Sequence, residues 1–246
     1  MNIKSKLLLA LLATSSAAFA QTAPAEAEST LGYNVGVVSE YRYRGQGQSK
    51  GDPALQGGVD YAHSSGLYVG AWGSTIKWIK DAGATKGSTE LDIYGGYKFE
   101  AAGLAYDVGY LRYEYVGNTY DKIGVNANTD EAYGAVTAGP ATLKYSYAFS
   151  DLFGNKDSKG STYWDLSATF DLGDGYSIVP HAGRQTIKNT PYSYTDVALT
   201  LNKDLGDGLV ASVSGISTNG KAATFVSPSG YNPAKSIVVV GVKYSF

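Results

Sequence analysis

The chain has 246 residues, 20 Lys and Arg against 22 Asp and Glu, and a formal charge of −2. With no cysteine, disulfides and thiolate metal sites are excluded. The mild acidity argues against nucleic acid as a partner, and 31 Gly and 21 Tyr beside one Met and two His give the composition an unusual cast.

Residues 1–20 read as a secretory signal. Lys4 and Lys6 form a positive start, Leu7 to Ala13 is a short apolar run, and Ala18-Phe19-Ala20 fits a cleavage site. That run falls well short of the roughly 18 residues of a spanning helix. Loss of the two lysines takes the formal charge from −2 to −4. Residues 21–30 carry Ala, Glu, Pro, Thr and Ser without periodicity and read as a flexible periplasmic tail. No long apolar run follows.

From Leu31 to Phe246 the chain alternates between apolar and polar residues, as strands with two unlike faces do. Strand one is expected to place Leu31, Tyr33, Val35, Val37, Tyr41 and Tyr43 on one face and Glu40 and Arg42 on the other. Strand two sets Leu55, Val59 and Tyr61 against Gln56 and Asp60. Strand three, Leu67 to Ile76, is apolar on both faces and its parity is open. Strand four opposes Leu91, Ile93, Tyr97 and Phe99 to Glu90, Asp92 and Lys98. Strand five carries Leu104, Tyr106, Val108 and Tyr110, and strand six, near Glu131 to Ala138, is weakly patterned. Strand seven sets Leu143, Tyr145 and Tyr147 against Lys144, and strand eight Trp164, Leu166 and Phe170 against Tyr163 and Asp165. Strand nine contains His181 and Pro180, where a bulge or kink is expected because proline removes a ladder hydrogen bond. Strand ten opposes Val197, Leu199 and Leu201 to Asp196, and strand eleven spans Leu209 to Ser217. Asp-Leu-Gly-Asp-Gly occurs at 171–175 and again at 204–208, one hairpin solution used twice, with Asp-Gly supplying positive φ. The last strand runs to a terminal Phe246, with Val238, Val240, Val242 and Tyr244 on its parity and Lys243 on the other.

The count is twelve strands of about ten residues, a length that suits a tilted membrane-spanning strand. Short turns follow the even strands and longer loops the odd ones, the asymmetry of outer-membrane barrels. The fold class read from this is all-β: a transmembrane antiparallel up-and-down barrel over 31–246, with short periplasmic turns and longer external loops. Open sheet edges cannot lie in lipid, so the sheet must close. Tyr33, Tyr41, Tyr43, Tyr97, Tyr106 and Tyr147 are placed at the membrane interfaces.

Several stretches resemble the exported TorF family of porin-like proteins. They are Ser39-Glu40-Tyr41-Arg42-Tyr43-Arg44-Gly45, Pro53 to Tyr61, Ser65 to Trp72, Leu91 to Tyr97 and Tyr145 to Asp151. The resemblance implies an outer-membrane barrel with a pore function and carries over no functional residues.

By parity the lumen receives Glu40, Arg42, Gln56, Asp60, Glu90, Asp92, Lys98, Lys144, Asp165, His181, Asp196 and Lys243. Charges of both signs fit a wet path with ion screening. Acids lead slightly on this wall. Arg44, Lys50, Lys77, Lys80, Lys86, Lys156, Lys159, Lys188 and Lys221 are assigned to external loops, where they can meet lipopolysaccharide phosphates. Glycines at inward positions, Gly32, Gly36, Gly58 and Gly96, leave space, whereas inward tyrosines such as Tyr94 and Tyr163 take it up. A twelve-stranded barrel lies between small filled barrels and open porins. A narrow pore, a selective channel and a plugged barrel therefore all remain open.

No catalytic residue, cofactor or metal site is expected. His63 falls in a turn, His181 is a lone lumen histidine, and scattered carboxylates are weak evidence for calcium. The leading function is passive diffusion of ions or small polar solutes across the outer membrane. The alternatives are a structural, adhesion or lipopolysaccharide-binding barrel with a plugged lumen, and, third, an outer-membrane hydrolase. Expected partners are outer-membrane lipid and lipopolysaccharide, the diffusing solutes, and the barrel-assembly machinery acting on the strand that ends in Phe246.

Overall fold

A computed structural model describes residues 29–221 and 227–246. The leader assigned to 1–20 and nearly all of the tail lie outside them. Twelve antiparallel strands close into a barrel. They are β1 (Thr30–Val38), β2 (Ala54–Ala62), β3 (Leu67–Thr75), β4 (Thr89–Ala101), β5 (Leu104–Tyr115) and β6 (Thr129–Ala138). The others are β7 (Ala141–Ala148), β8 (Thr162–Ala168, resumed at Phe170–Gly173), β9 (Tyr176–Thr186), β10 (Tyr194–Gly206), β11 (Leu209–Thr218) and β12 (Ile237–Ser245). Each strand pairs with its sequence neighbours, and β1 pairs with β12 to close the seam. Phe246 extends that seam: its N–H donates to the Tyr33 carbonyl at 3.0 Å and its ring stacks on Tyr33 and Tyr244.

The alternation sorts side chains between two solvents. Leu31, Val35, Val37, Leu55, Ile93, Leu166, Leu199 and Val242 stand exposed on the outer wall. So large an apolar surface is stable only against lipid. Aromatic side chains gather where strands meet the short turns: Tyr97, Phe99 and Tyr106 stack in a row, with centroids 5.7 and 5.1 Å apart. β3 resolves its parity, with Tyr68, Trp72 and Ser74 inward and Leu67 and Val69 outward.

Pro180 brings no bulge. Its partner is Leu199 in an unbroken β9–β10 register, and on its other side β8 is merely interrupted at Thr169 without slipping. The missing N–H costs one ladder bond. The register shift in this hairpin lies at the turn, between Asp171 and Gly173.

The Asp-Gly turns have the expected geometry, with positive φ at Asp174 and Gly175 and at Asp207 and Gly208. The β4–β5 turn asks the same of Ala102, at φ 52°, where a Cβ is strained. Asn tolerates that region, so Ala102→Asn is expected to stabilise the barrel by about 1 kcal/mol. A urea-unfolding midpoint that fails to rise would contradict this assignment.

Candidate functional site: a hairpin inside the lumen

β1 ends at Val38, earlier than the alternation predicts. The chain bends at Ser39, whose N–H donates to Val240 O at 2.8 Å and whose hydroxyl accepts from Val240 N–H at 3.0 Å. It then enters the barrel as a small ribbon, Arg42–Tyr43 paired with Gln46–Gly47. Arg44 and Gly45 form its tip, at φ 46° and 76°. Three expectations are corrected. Tyr41 and Tyr43 do not reach the lipid face: they are 3% and 6% exposed, inside the barrel. Arg44 is not an external loop charge but is 5% exposed in the lumen. The cause is polar: the arginines and Glu40 find their partners only inside.

Those partners lie on several walls. The Arg44 fork donates to both oxygens of Glu131 on β6, at 2.9 and 2.7 Å, and to Gln185 Oε1 on β9 at 2.8 Å. Since β6 and β9 are not neighbours, the hairpin crosses the lumen. The guanidinium also stands 4.3 Å from the Tyr163 ring centre on β8. Tyr43 meets Tyr113 hydroxyl to hydroxyl, and Tyr113 donates to Glu131 at 3.2 Å. Tyr41 donates to Glu90 at 3.0 Å. At the hairpin's base Arg42 pairs with Glu40 at 3.0 Å and donates to the carbonyls of Pro233 and Lys235 in the last loop. Tyr231 of that loop donates to Glu40. Gln48 O accepts the N–H groups of Lys77 and Trp78, fastening the hairpin to a short helix, Trp78–Asp81.

The residues assigned to the lumen fall into two levels. Arg42 on the hairpin, Glu40 at its base, and Glu90, Asp92 and Asp196 on the wall at that level are nearly sealed from solvent. Gln56, Asp60, Lys98, Lys144, Asp165, His181 and Lys243 line the rest of the inner wall and are half-buried. Tyr94 donates to Asp60 at 2.5 Å. His181 lies 2.9 Å from Asp165 and 3.5 Å from Asp196, beside the Tyr163 hydroxyl. Lys144 stands 3.8 Å over the Tyr133 ring and Lys98 4.9 Å over Tyr68. His63, in its turn, bonds Ser65. Sequence reading missed Arg44, Asp107, Glu131 and Gln185. Asp107, which accepts from Tyr68 at 2.6 Å, and Glu131 follow from alternation once the registers of β5 and β6 are known. Among the described residues no group of three or more His, Cys, Asp or Glu can hold a metal ion.

Inward glycines do not simply leave a hole. The Tyr68 hydroxyl lies over Gly96, the Tyr133 hydroxyl over Gly109 and the Tyr94 ring over Gly70, each 2.5 Å from where a Cβ would stand. Tyr163 covers Gly183 in the same way. At Gly96 the expected space is thus taken, and the tyrosines lie along the wall instead of across the lumen. Gly32 alone of the four singled out has nothing within 4 Å of its missing Cβ.

Outside the membrane-spanning strands, Asp81 ties two loops together through Lys50, at 2.6 Å. Partial burial raises its pKa, but bonds from Lys50, Ser227 and Ser229 outweigh that and hold it below the ordinary carboxylate value. A depressed pKa stabilises above the unfolded value, and the stabilisation is lost as pH falls through the folded one. Acidification through that window is expected to loosen the loop contact, read by Trp78 fluorescence. Asp81→Asn is expected to abolish the step, and a step unchanged in the variant would contradict the tie. In the lumen, Arg44→Ala strands Glu131 without its cation and is expected to cost about 3–5 kcal/mol in urea unfolding. Adding Glu131→Gln is expected to recover much of that loss. A cost below about 1 kcal/mol would mean that Arg44 is in solvent.

The barrel resembles solved outer-membrane proteins at low sequence identity. The KdgM porin aligns with a TM-score of 0.55 and 9% identity, over 89% of this chain and 99% of that one. For the NanC porin the values are 0.56 and 12%, over 87% and 99%. The COG4313 outer membrane channel from Pseudomonas putida F1 gives 0.50 and 13%, over 92% and 99%. At such identities the likeness is one of fold. No curated protein matches the chain in sequence. Residues 22–246 match a family described as a bacterial protein of unknown function, Gcw_chp. Because the match runs through every strand of the barrel, the chain belongs to the Gcw_chp family.

Proposed function

We propose that the protein is an outer-membrane channel for ions or small polar solutes, with the inner hairpin setting the width of its path. The observation that carries this reading is the hairpin itself. It crosses a closed barrel whose outer face is apolar and whose inner wall carries Asp60, Lys98, Asp107, Lys144, Asp165 and Lys243. A barrel serving only as an anchor has no use for a charged, half-buried inner wall. Structural likeness to two porins and an outer membrane channel supports the same reading. No catalytic role is assigned: the contacts of His181 are Asp165, Asp196 and Tyr163, none of which is positioned as a serine-type nucleophile.

A second reading rests on a specific observation. Glu40, Tyr41, Arg42, Tyr43 and Arg44 are each at most 6% exposed, so the hairpin level is tightly closed. A plugged barrel whose basic loops bind lipopolysaccharide would look the same there. Export by the leader, assembly through the strand ending in Phe246 and residence in the outer membrane belong to both readings.

Single-channel recording in a planar bilayer separates them. The mature protein is expected to give small discrete current steps, and replacing residues 41–48 with a short Gly-Ser turn is expected to enlarge them severalfold. Absence of current from both proteins, each shown to be folded, would sink the channel reading in favour of the plug.

A further inference from the structure

One cross-strand row on the inner wall carries charge of both signs. Lys98 on β4 faces Asp107 on β5, Asp107 faces Ala135 on β6, and Ala135 faces Lys144 on β7. Lys144 in turn faces Asp165 on β8, and the row runs on through Gly183 to Asp196 on β10. Lys98 lies near the short-turn end of β4, which closes at Ala101, and Asp196 near the opposite end of β10, which opens at Tyr194. Because barrel strands are tilted, such a row climbs the wall. It ends at the hairpin tip, where a Cβ on Gly45 would stand 2.6 Å from that of Asp196. Past the row, β10 and β11 present Thr200, Asn202, Ser212 and Ser214, which are uncharged and sealed. The charged side is the side a solute can reach.

The middle of the row is unusual. Opposite charges directly across a strand pair normally bridge, yet Lys144 and Asp165 form no ion pair with each other. Each is held by a different neighbour. The Lys144 ammonium stands 3.8 Å over the Tyr133 ring, and the Asp165 carboxylate lies 2.9 Å from His181 Nε2 with its side chain 21% exposed. His181 also lies 3.5 Å from Asp196, so one imidazole serves two carboxylates and this corner stays acidic in either of its states. A cation and an anion are thus kept side by side and unspent. A singly charged ion is attracted by one and repelled by the other, whereas a solute with both charges meets a partner at each end. We propose that Lys144 and Asp165 form a subsite for small zwitterions of the amino-acid class, taking the carboxylate on Lys144 and the ammonium on Asp165. This rests on the channel reading and names the solute class for it.

The test is liposome swelling with the mature protein, comparing alanine with lactamide, its uncharged isomer, and recording KCl current from the same preparation. Alanine is expected to enter severalfold faster than lactamide. Lys144→Met and Asp165→Asn are each expected to bring the two rates together, and the exchange Lys144→Asp/Asp165→Lys to restore much of the difference. Should Lys144→Met fail to fold, Asp165→Asn, which keeps the shape of the side chain, carries the comparison. Equal rates in an unaltered protein that conducts KCl, or a preference for alanine that survives both single substitutions, would overturn the subsite and leave the channel standing. A folded protein that passes neither isomer and no KCl current would overturn the channel and the subsite together.

Discussion

The bidentate contact of Arg44 with Glu131 is the constraint on which the interior depends. An arginine cannot lose its proton, so bringing it into a closed lumen requires a carboxylate whose geometry matches its fork. Glu131 meets that requirement, and Gln185 takes a further N–H from another wall. The chain that carries Arg44 must therefore turn inward as soon as β1 ends. From this follow the burial of Tyr41 and Tyr43, the seat of Glu40 against Arg42 and Tyr231, and the docking of the last loop on the hairpin's base.

The walls are adapted to this interior in a second way. A hairpin inside a barrel of this size competes for space with inward side chains. Glycines on β3, β4, β5 and β9 let tyrosines from nearby strands lie flat. Their hydroxyls are then spent on wall carboxylates: Tyr94 on Asp60, Tyr68 on Asp107, Tyr163 on Asp196. Glycine thus lowers strand propensity locally and returns rigidity through a packed ring and a charge-assisted hydrogen bond. The lysines Lys98 and Lys144 use the same rings as cation–π platforms.

Much of the wall was legible because one physical rule governs it: alternate residues meet lipid and water. β4, β7, β8, β10 and β12 follow that rule, and Asp-Gly marked two turns through the backbone angles it permits. The hairpin was hidden because Glu40 to Tyr43 keeps the alternation of a strand. The single clue was Ser39, a polar residue on the outward parity, which is where the chain leaves the wall. Partners across the lumen left no local signal either. Arg44 and Glu131 are 87 residues apart, and only closure of the barrel brings them together. Inward glycine was read as empty space because the tyrosine that fills it sits on another strand.

Whether the segment after β1 lies inside the barrel can be measured directly. The protein has no native cysteine, so a single Gln46→Cys beside the hairpin tip can be treated with a bulky polymer-linked maleimide in the folded protein. Ser229→Cys in the exposed last loop serves as the positive control. An inner hairpin predicts that Cys at 46 stays unlabelled until the protein is unfolded, while Cys at 229 reacts at once. Equal labelling of both in the folded state would place the segment outside the barrel and contradict the account.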